Sequence, residues 1–83
     1  MDNKLREVRV CKRITQYRLA NASGVNPSKI SLIENGLVQP RLHEIARLAQ
    51  GLNVKPSDIF PHAGRYIEKA MEERGKEIGD EAK

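Results

Sequence analysis

Cysteine is almost missing from this sequence: Cys11 stands alone, so no internal disulfide can form, in keeping with a reducing compartment. Long apolar runs are missing too. Nothing approaches the roughly 18–20 residues of a membrane span, and no signal-peptide pattern opens the chain. No alternating β-branched run appears, and no Asn-Gly turn joins two such runs, so strands are not expected. His43 and His62 lie 19 residues apart with no cysteine or carboxylate cluster at ligand spacing, which argues against a metal site. No glycine-rich phosphate loop leads into a helix. These absences leave an all-α, soluble, cytoplasmic chain that is not an enzyme and has no cofactor, metal or small-molecule ligand in view. At 83 residues it is one domain at most, with a small core. Cys11 is expected to be an inert, partly buried thiol, with redox sensing as the lesser alternative.

Charge is unevenly placed. Residues 1–60 hold ten Lys/Arg and five Asp/Glu, a net of +5, whereas residues 61–83 hold five and six, a net of −1. Net charge bears on partners rather than on fold, and a small basic segment favours a polyanion. Solubility alone would also account for such a balance.

Helical punctuation is plentiful. A first helix is expected to start after Asp2 or Asn3 and to carry Leu5 and Val8 inward. Thr15 caps a second, with Leu19, Ala20 and Ser23 on one face, and Gly24 supplies the positive φ that ends it. Asn26-Pro27 opens a third, since Asn is a good N-cap and Pro is favoured at the first helical position; Gly36 stops it. Pro40 precedes a fourth, in which Leu42, Ile45, Leu48, Ala49 and Leu52 recur at helical spacing. Pro56 opens a short fifth turn ending at Ile59-Phe60, and Pro61 is expected to close the compact part. Helices two and three meet through a few residues around Gly24, with small side chains where they approach. That is the look of a helix-turn-helix, though ordinary helical hairpins share it.

Two features of the third helix stand out. Glu34 sits at its C-terminal end, where the helix dipole disfavours a carboxylate, and borders the apolar stripe of Ile30, Ile33 and Leu37. Arg9 lies on the Leu5/Val8 side of the first helix. A half-buried charge is costly without a partner, so an Arg9–Glu34 pair is expected, with Lys12 the competing cation. On the opposite side, Leu32 stands among Ser28, Ser31 and Asn35. An apolar side chain on a polar outward face is either an ordinary exposed leucine or a contact residue.

The stretch "LREVRVCKRITQYRLANASGVNPSKISLIENGLVQPRLHEIARLAQGLNVKPSDIF", residues 5–60, resembles the lambda-repressor/Cro-like helix-turn-helix domain, often called the XRE family. The resemblance rests on the Ile-Thr-Gln entry to helix two, Leu19-Ala20, Ser-Gly-Val, Ile30-Ser31, Ile33-Glu34-Asn35-Gly36, Pro40, and Ala49 to Val54. It implies a five-helix lambda-repressor-like DNA-binding domain, here 1–61, with a C-terminal helical extension, 62–83, whose end is expected to fray. It also implies an operator-binding transcriptional regulator of bacterial or phage type, usually a repressor and a dimer on double-stranded DNA.

Helix three matches the recognition helix, whose N-terminal residues meet base edges in the major groove. By position, Pro27, Ser28 and Leu32 match base-facing sites, with Asn26 and Ser31 beside them. Gln16 matches a residue that contacts phosphate and steadies the recognition helix. Thr15, Lys29, Asn35 and Arg41 complete the expected phosphate contacts, and Arg9 and Glu34 match the family's inter-helix salt bridge. Leu32 then suits the thymine methyl. Two departures are Arg13, where many members have glycine, and Arg41, where many have a serine cap. The long amides that read adenine in some members are absent at Pro27 and Ser28, so the target base does not carry over.

In the tail, Tyr66, Ile67, Ala70, Met71 and Ile78 form an apolar stripe that either covers its own domain or meets a second copy. The expected dimer surface is Val54, Ile59 and Phe60, exposed beside the fifth helix, extended by Ile67, Ala70 and Met71. A protein-interaction module on the same fold is the alternative of another class. An antitoxin or restriction-modification controller would be a variant of the regulator.

Overall fold

The computed structural model describes residues 3–81, and the side-chain surroundings of residues 3–73. Asp2, residues 82–83 at the end of the tail and the surroundings of Ile78 lie outside the described residues. The helices in order are α1 (Leu5–Cys11), α2 (Gln16–Ser23), α3 (Pro27–Glu34), α4 (Leu42–Leu52), α5 (Pro56–Ile59) and α6 (Pro61–Glu81). No strand occurs among the described residues, and the fold is all-α.

Local chemistry sets most boundaries. The Thr15 hydroxyl accepts from Arg18 N–H at 3.1 Å and the Asn26 side-chain carbonyl from Ser28 N–H at 2.8 Å, so both helices of the central pair are N-capped by a side chain. Gly24 ends α2 at φ +78°, a left-handed conformation that costs glycine nothing. Arg13 takes the same region at φ +57° between α1 and α2, without glycine's freedom. The chain start is fixed by Asn3, whose side chain accepts from Leu5 N–H and donates to the Ile33 carbonyl, and by Lys4 N–H on the Ile59 carbonyl.

One core joins all six helices. Leu5, Leu19, Ile30, Ile33, Leu48, Leu52 and Ile59 are fully buried, and removing each from water is worth roughly 1.5–3 kcal/mol. Val25, in the α2–α3 turn, is buried with them. Ser23 is satisfied in place: its hydroxyl donates to the Leu19 carbonyl at 2.7 Å and accepts from Val25 N–H at 3.2 Å. Its small size also serves α4, for a Cβ added at Gly51 would stand 3.2–3.4 Å from Leu19, Ala22 and Ser23.

Several apolar positions fall elsewhere than expected. Leu37 does not continue the Ile30/Ile33 stripe: α3 ends at Glu34, Gly36 turns the chain at φ +73°, and Leu37 is 72% exposed. Leu42, the first residue of α4, is exposed rather than part of the buried stripe. Cys11 is exposed rather than partly buried, because α1 turns its last residue to solvent.

Pro61 opens α6 instead of closing the compact part. The helix crosses α5 at Gly64, where any Cβ would overlap the Pro56 carbonyl and the Ser57 amide. One turn on, the Glu68 carboxylate accepts from Ser57 N–H at 2.8 Å and so caps α5 from outside. Hydrogen bonds from the Ser57 hydroxyl, then from its backbone N–H, hold the Glu68 carboxyl below its ordinary pKa. Ile67 thereby enters the core. The expectation that Ile59, Phe60 and Ile67 offer a free surface is corrected: α6 packs against α5, Ile67 is on its inner side, and all three are buried in their own domain.

Candidate nucleic-acid interface

The site is assembled around Glu34. Arg9 Nε donates to its Oε2 at 2.6 Å and Arg9 Nη2 to its Oε1 at 3.2 Å, a two-point pair from α1 to the last turn of α3. Arg9 Nη1 also donates to the Ile14 carbonyl at 2.8 Å. Gln16, the first residue of α2, donates its amide N–H to Glu34 Oε1 at 3.0 Å. The Glu34 side chain is only 2% exposed, so these donors replace the water it has lost and oppose the unfavourable dipole at the helix end. Two helices, α1 and α2, are thus bound to one carboxylate of α3, which ties α3 to both.

The outward side of α3 faces the first turn of α2 across an open groove lined by Gln16, Tyr17, Pro27, Ser28, Ser31 and Leu32. Ser28 is exposed and Leu32 is 40% exposed, on successive turns of the same face. Asn26, exposed just before α3, has its side-chain carbonyl engaged as the cap. Four of the five expected base-facing residues, Pro27, Ser28, Ser31 and Leu32, therefore share one surface, with Gln16 brought to it from α2.

The other expected polar contacts have parts of their bonding capacity already used. Thr15 accepts within its own cap. Asn35 turns its amide N–H back to the Ser31 carbonyl at 2.9 Å, securing the end of α3. Lys29 pairs with Glu44 of α4 at 2.8 Å, and the same carboxylate accepts from Arg41 N–H at 2.8 Å. The Arg41 backbone N–H, then Lys29, hold the Glu44 carboxyl below its ordinary pKa. Arg41 itself is exposed. Along α2, α3 and α4 the carboxylates are Glu34 and Glu44, and both are paired. Arg13 and Arg18 stand exposed nearby in sequence, leaving an excess of positive charge on this part of the chain.

Tyr17 was not expected here. It is 74% exposed and lines the groove beside Gln16. Its signal in the sequence is faint: an aromatic residue directly after the Thr-Gln entry to α2, on a face with no apolar periodicity.

The expected dimer residues divide. Ile59, Phe60 and Ile67 are interior, whereas Ala70 and Met71 are exposed and Val54 is half-buried. The accessible ones border two adjoining depressions between α4 and α6, shared with Leu42, Ala46 and Tyr66. Among the described residues no His, Cys, Asp and Glu are grouped to hold a metal, and no helix is long and apolar enough to cross a membrane.

A family model described as a helix-turn-helix domain matches residues 3–59. Over 60 residues the chain is 38% identical to an uncharacterized HTH-type transcriptional regulator of Methanocaldococcus jannaschii, covering 72% of this chain and 91% of that relative. No solved structure matches the chain at a significant level. The capped α2, the left-handed Gly24 turn and the Glu34-anchored α3 are the physical form of that match, and the chain belongs to the XRE-like helix-turn-helix family.

Proposed function

We propose that the protein is a non-enzymatic, DNA-binding transcriptional regulator that represses from an operator read by α3 in the major groove. The observation that carries this reading is the outward face of α3. Short polar side chains and one leucine stand on a helix tied to α1 and α2 by the Glu34 junction, on a basic segment whose nearby carboxylates are paired. The family match and the relative's description as a transcriptional regulator support it.

In this reading Asn26, Pro27, Ser28, Ser31 and Leu32 meet base edges, with Leu32 against a thymine methyl. Thr15 and Gln16 at the start of α2, Arg41 at the start of α4, and Lys29 and Asn35 meet phosphates. Such contacts orient the helix without reading sequence. One short helix reads too few base pairs to select an operator, so a two-fold dimer sets two α3 helices about 34 Å apart. Its surface is the α4–α6 groove, with Val54, Ala70 and Met71 joined by Leu42 and Tyr66.

The test is titration of the full chain with duplex DNA at several salt concentrations. Log K should fall linearly with log salt, by about 0.9 per neutralised phosphate, and Arg41→Ala should flatten the slope by about one contact. No binding even at low salt would overturn the reading in favour of a protein partner.

A further inference from the structure

We propose that Tyr17 is a specificity-determining residue, gripping one DNA strand across the groove from Leu32. The inference rests on the DNA-binding reading above and adds a residue that neither the motif nor the charge pattern assigns. Tyr17 and Leu32 are the two large exposed apolar side chains of the groove, 74% and 40% accessible, with Ser28 and Ser31 among its polar lining. A free aromatic ring beside a free leucine is a surface that gains by being covered.

Its position is also fixed in advance. Tyr17 follows Gln16, whose amide is bound to Glu34 of α3, and lies inside the turn capped by Thr15. The start of α2 is therefore held at a set place relative to α3, and contact by Tyr17 needs no rearrangement of the backbone.

The chemistry of the side chain suits one strand of a duplex. Its hydroxyl is a donor of the kind that meets phosphate oxygens, and its ring is an apolar plate. With α3 in the major groove, the first turn of α2 stands at the phosphate backbone. The hydroxyl then donates to a phosphate, while the ring covers the C5-methyl edge of the pyrimidine next to the base met by Leu32. Thymine is preferred there because cytosine lacks the methyl.

The chain has two tyrosines and no tryptophan, so the difference in emission between wild type and Tyr17→Phe reports Tyr17. Adding a duplex selected by the wild-type protein should quench it. Tyr17→Phe should weaken all duplexes by roughly fivefold, one hydrogen bond's worth, with the preferred sequence unchanged. Tyr17→Ala should also lower the thymine preference beside the Leu32 position by about five- to tenfold. Both variants should keep the wild-type melting temperature, because the residue is exposed. A wild-type protein that binds duplex DNA, with Tyr17→Ala matching it in affinity and preference, or with unchanged emission, would overturn the proposal alone. A wild-type protein that binds no duplex would overturn the DNA reading and the proposal with it.

Discussion

Arg9→Ala tests the junction that positions α3. The substitution removes two hydrogen bonds to Glu34, at 2.6 and 3.2 Å, and one to the Ile14 carbonyl at 2.8 Å. It leaves a carboxylate 2% exposed with Gln16 as its remaining side-chain donor. Stranding one partner of a buried pair costs about 3–5 kcal/mol. Arg9 is itself 12% exposed, so water can enter once it is gone, and the lower end, about 3 kcal/mol, is expected. A domain of this size holds only about 4–12 kcal/mol in total. At about 4–8 °C per kcal/mol, the melting temperature should drop by about 12–24 °C. Arg6→Ala, at an exposed position of the same helix, should stay within about 0.5 kcal/mol of wild type. Replacing both partners, Arg9→Met with Glu34→Leu, should recover most of the loss, because no buried charge is left alone. Urea unfolding followed by circular dichroism measures all three. An Arg9→Ala protein as stable as Arg6→Ala would show that Glu34 needs no partner.

Other substitutions probe separate points of the fold. Gly64→Ala should cost about 3 kcal/mol or more, the upper end of overpacking, because the new Cβ meets α5 backbone that has nowhere to move; a melting temperature within a few degrees of wild type would show that α6 does not cross there. Arg13→Gly should stabilise the protein by about 1 kcal/mol by relieving a left-handed non-glycine residue, read from the same urea curves. Glu44 has a folded pKa below its unfolded one, so its contribution is fully present above the unfolded value and is lost as pH falls through the folded one. Wild type should therefore exceed Glu44→Gln in stability at neutral pH, and the difference should vanish in acid; a difference independent of pH would remove the bond to Arg41 and Lys29 as its cause.

The parts of the fold legible in the sequence are those decided locally. Thr15, Asn26 and Gly24 mark helix ends because each satisfies or frees a backbone group within three residues of itself. Arg9 and Glu34 were readable across a longer gap because each is a charge facing the apolar side of its own helix, and such a charge demands a partner. Leu37 departs from the helical stripe because the backbone has left the helix by Gly36, and periodicity does not register that turn. Ile59, Phe60 and Ile67 misled for a tertiary reason: their burial depends on α6 crossing α5 at Gly64, and nothing in the spacing of apolar residues announces that crossing. Within the site, the outward face of α3 could be drawn by projection. The bond from Gln16 to Glu34 and the place of Tyr17 depend on how α2 is set against α3, which periodicity does not encode.

Selection of bound fragments from random duplex DNA, run in parallel for wild type and Leu32→Ala, decides whether α3 reads sequence in the major groove. Wild type should enrich a two-fold-symmetric site. Leu32→Ala should enrich the same site with discrimination at one thymine per half lowered by about 1 kcal/mol. Enrichment of no sequence by wild type, or identical preferences in the two proteins, would contradict a groove-reading role for α3 and its leucine.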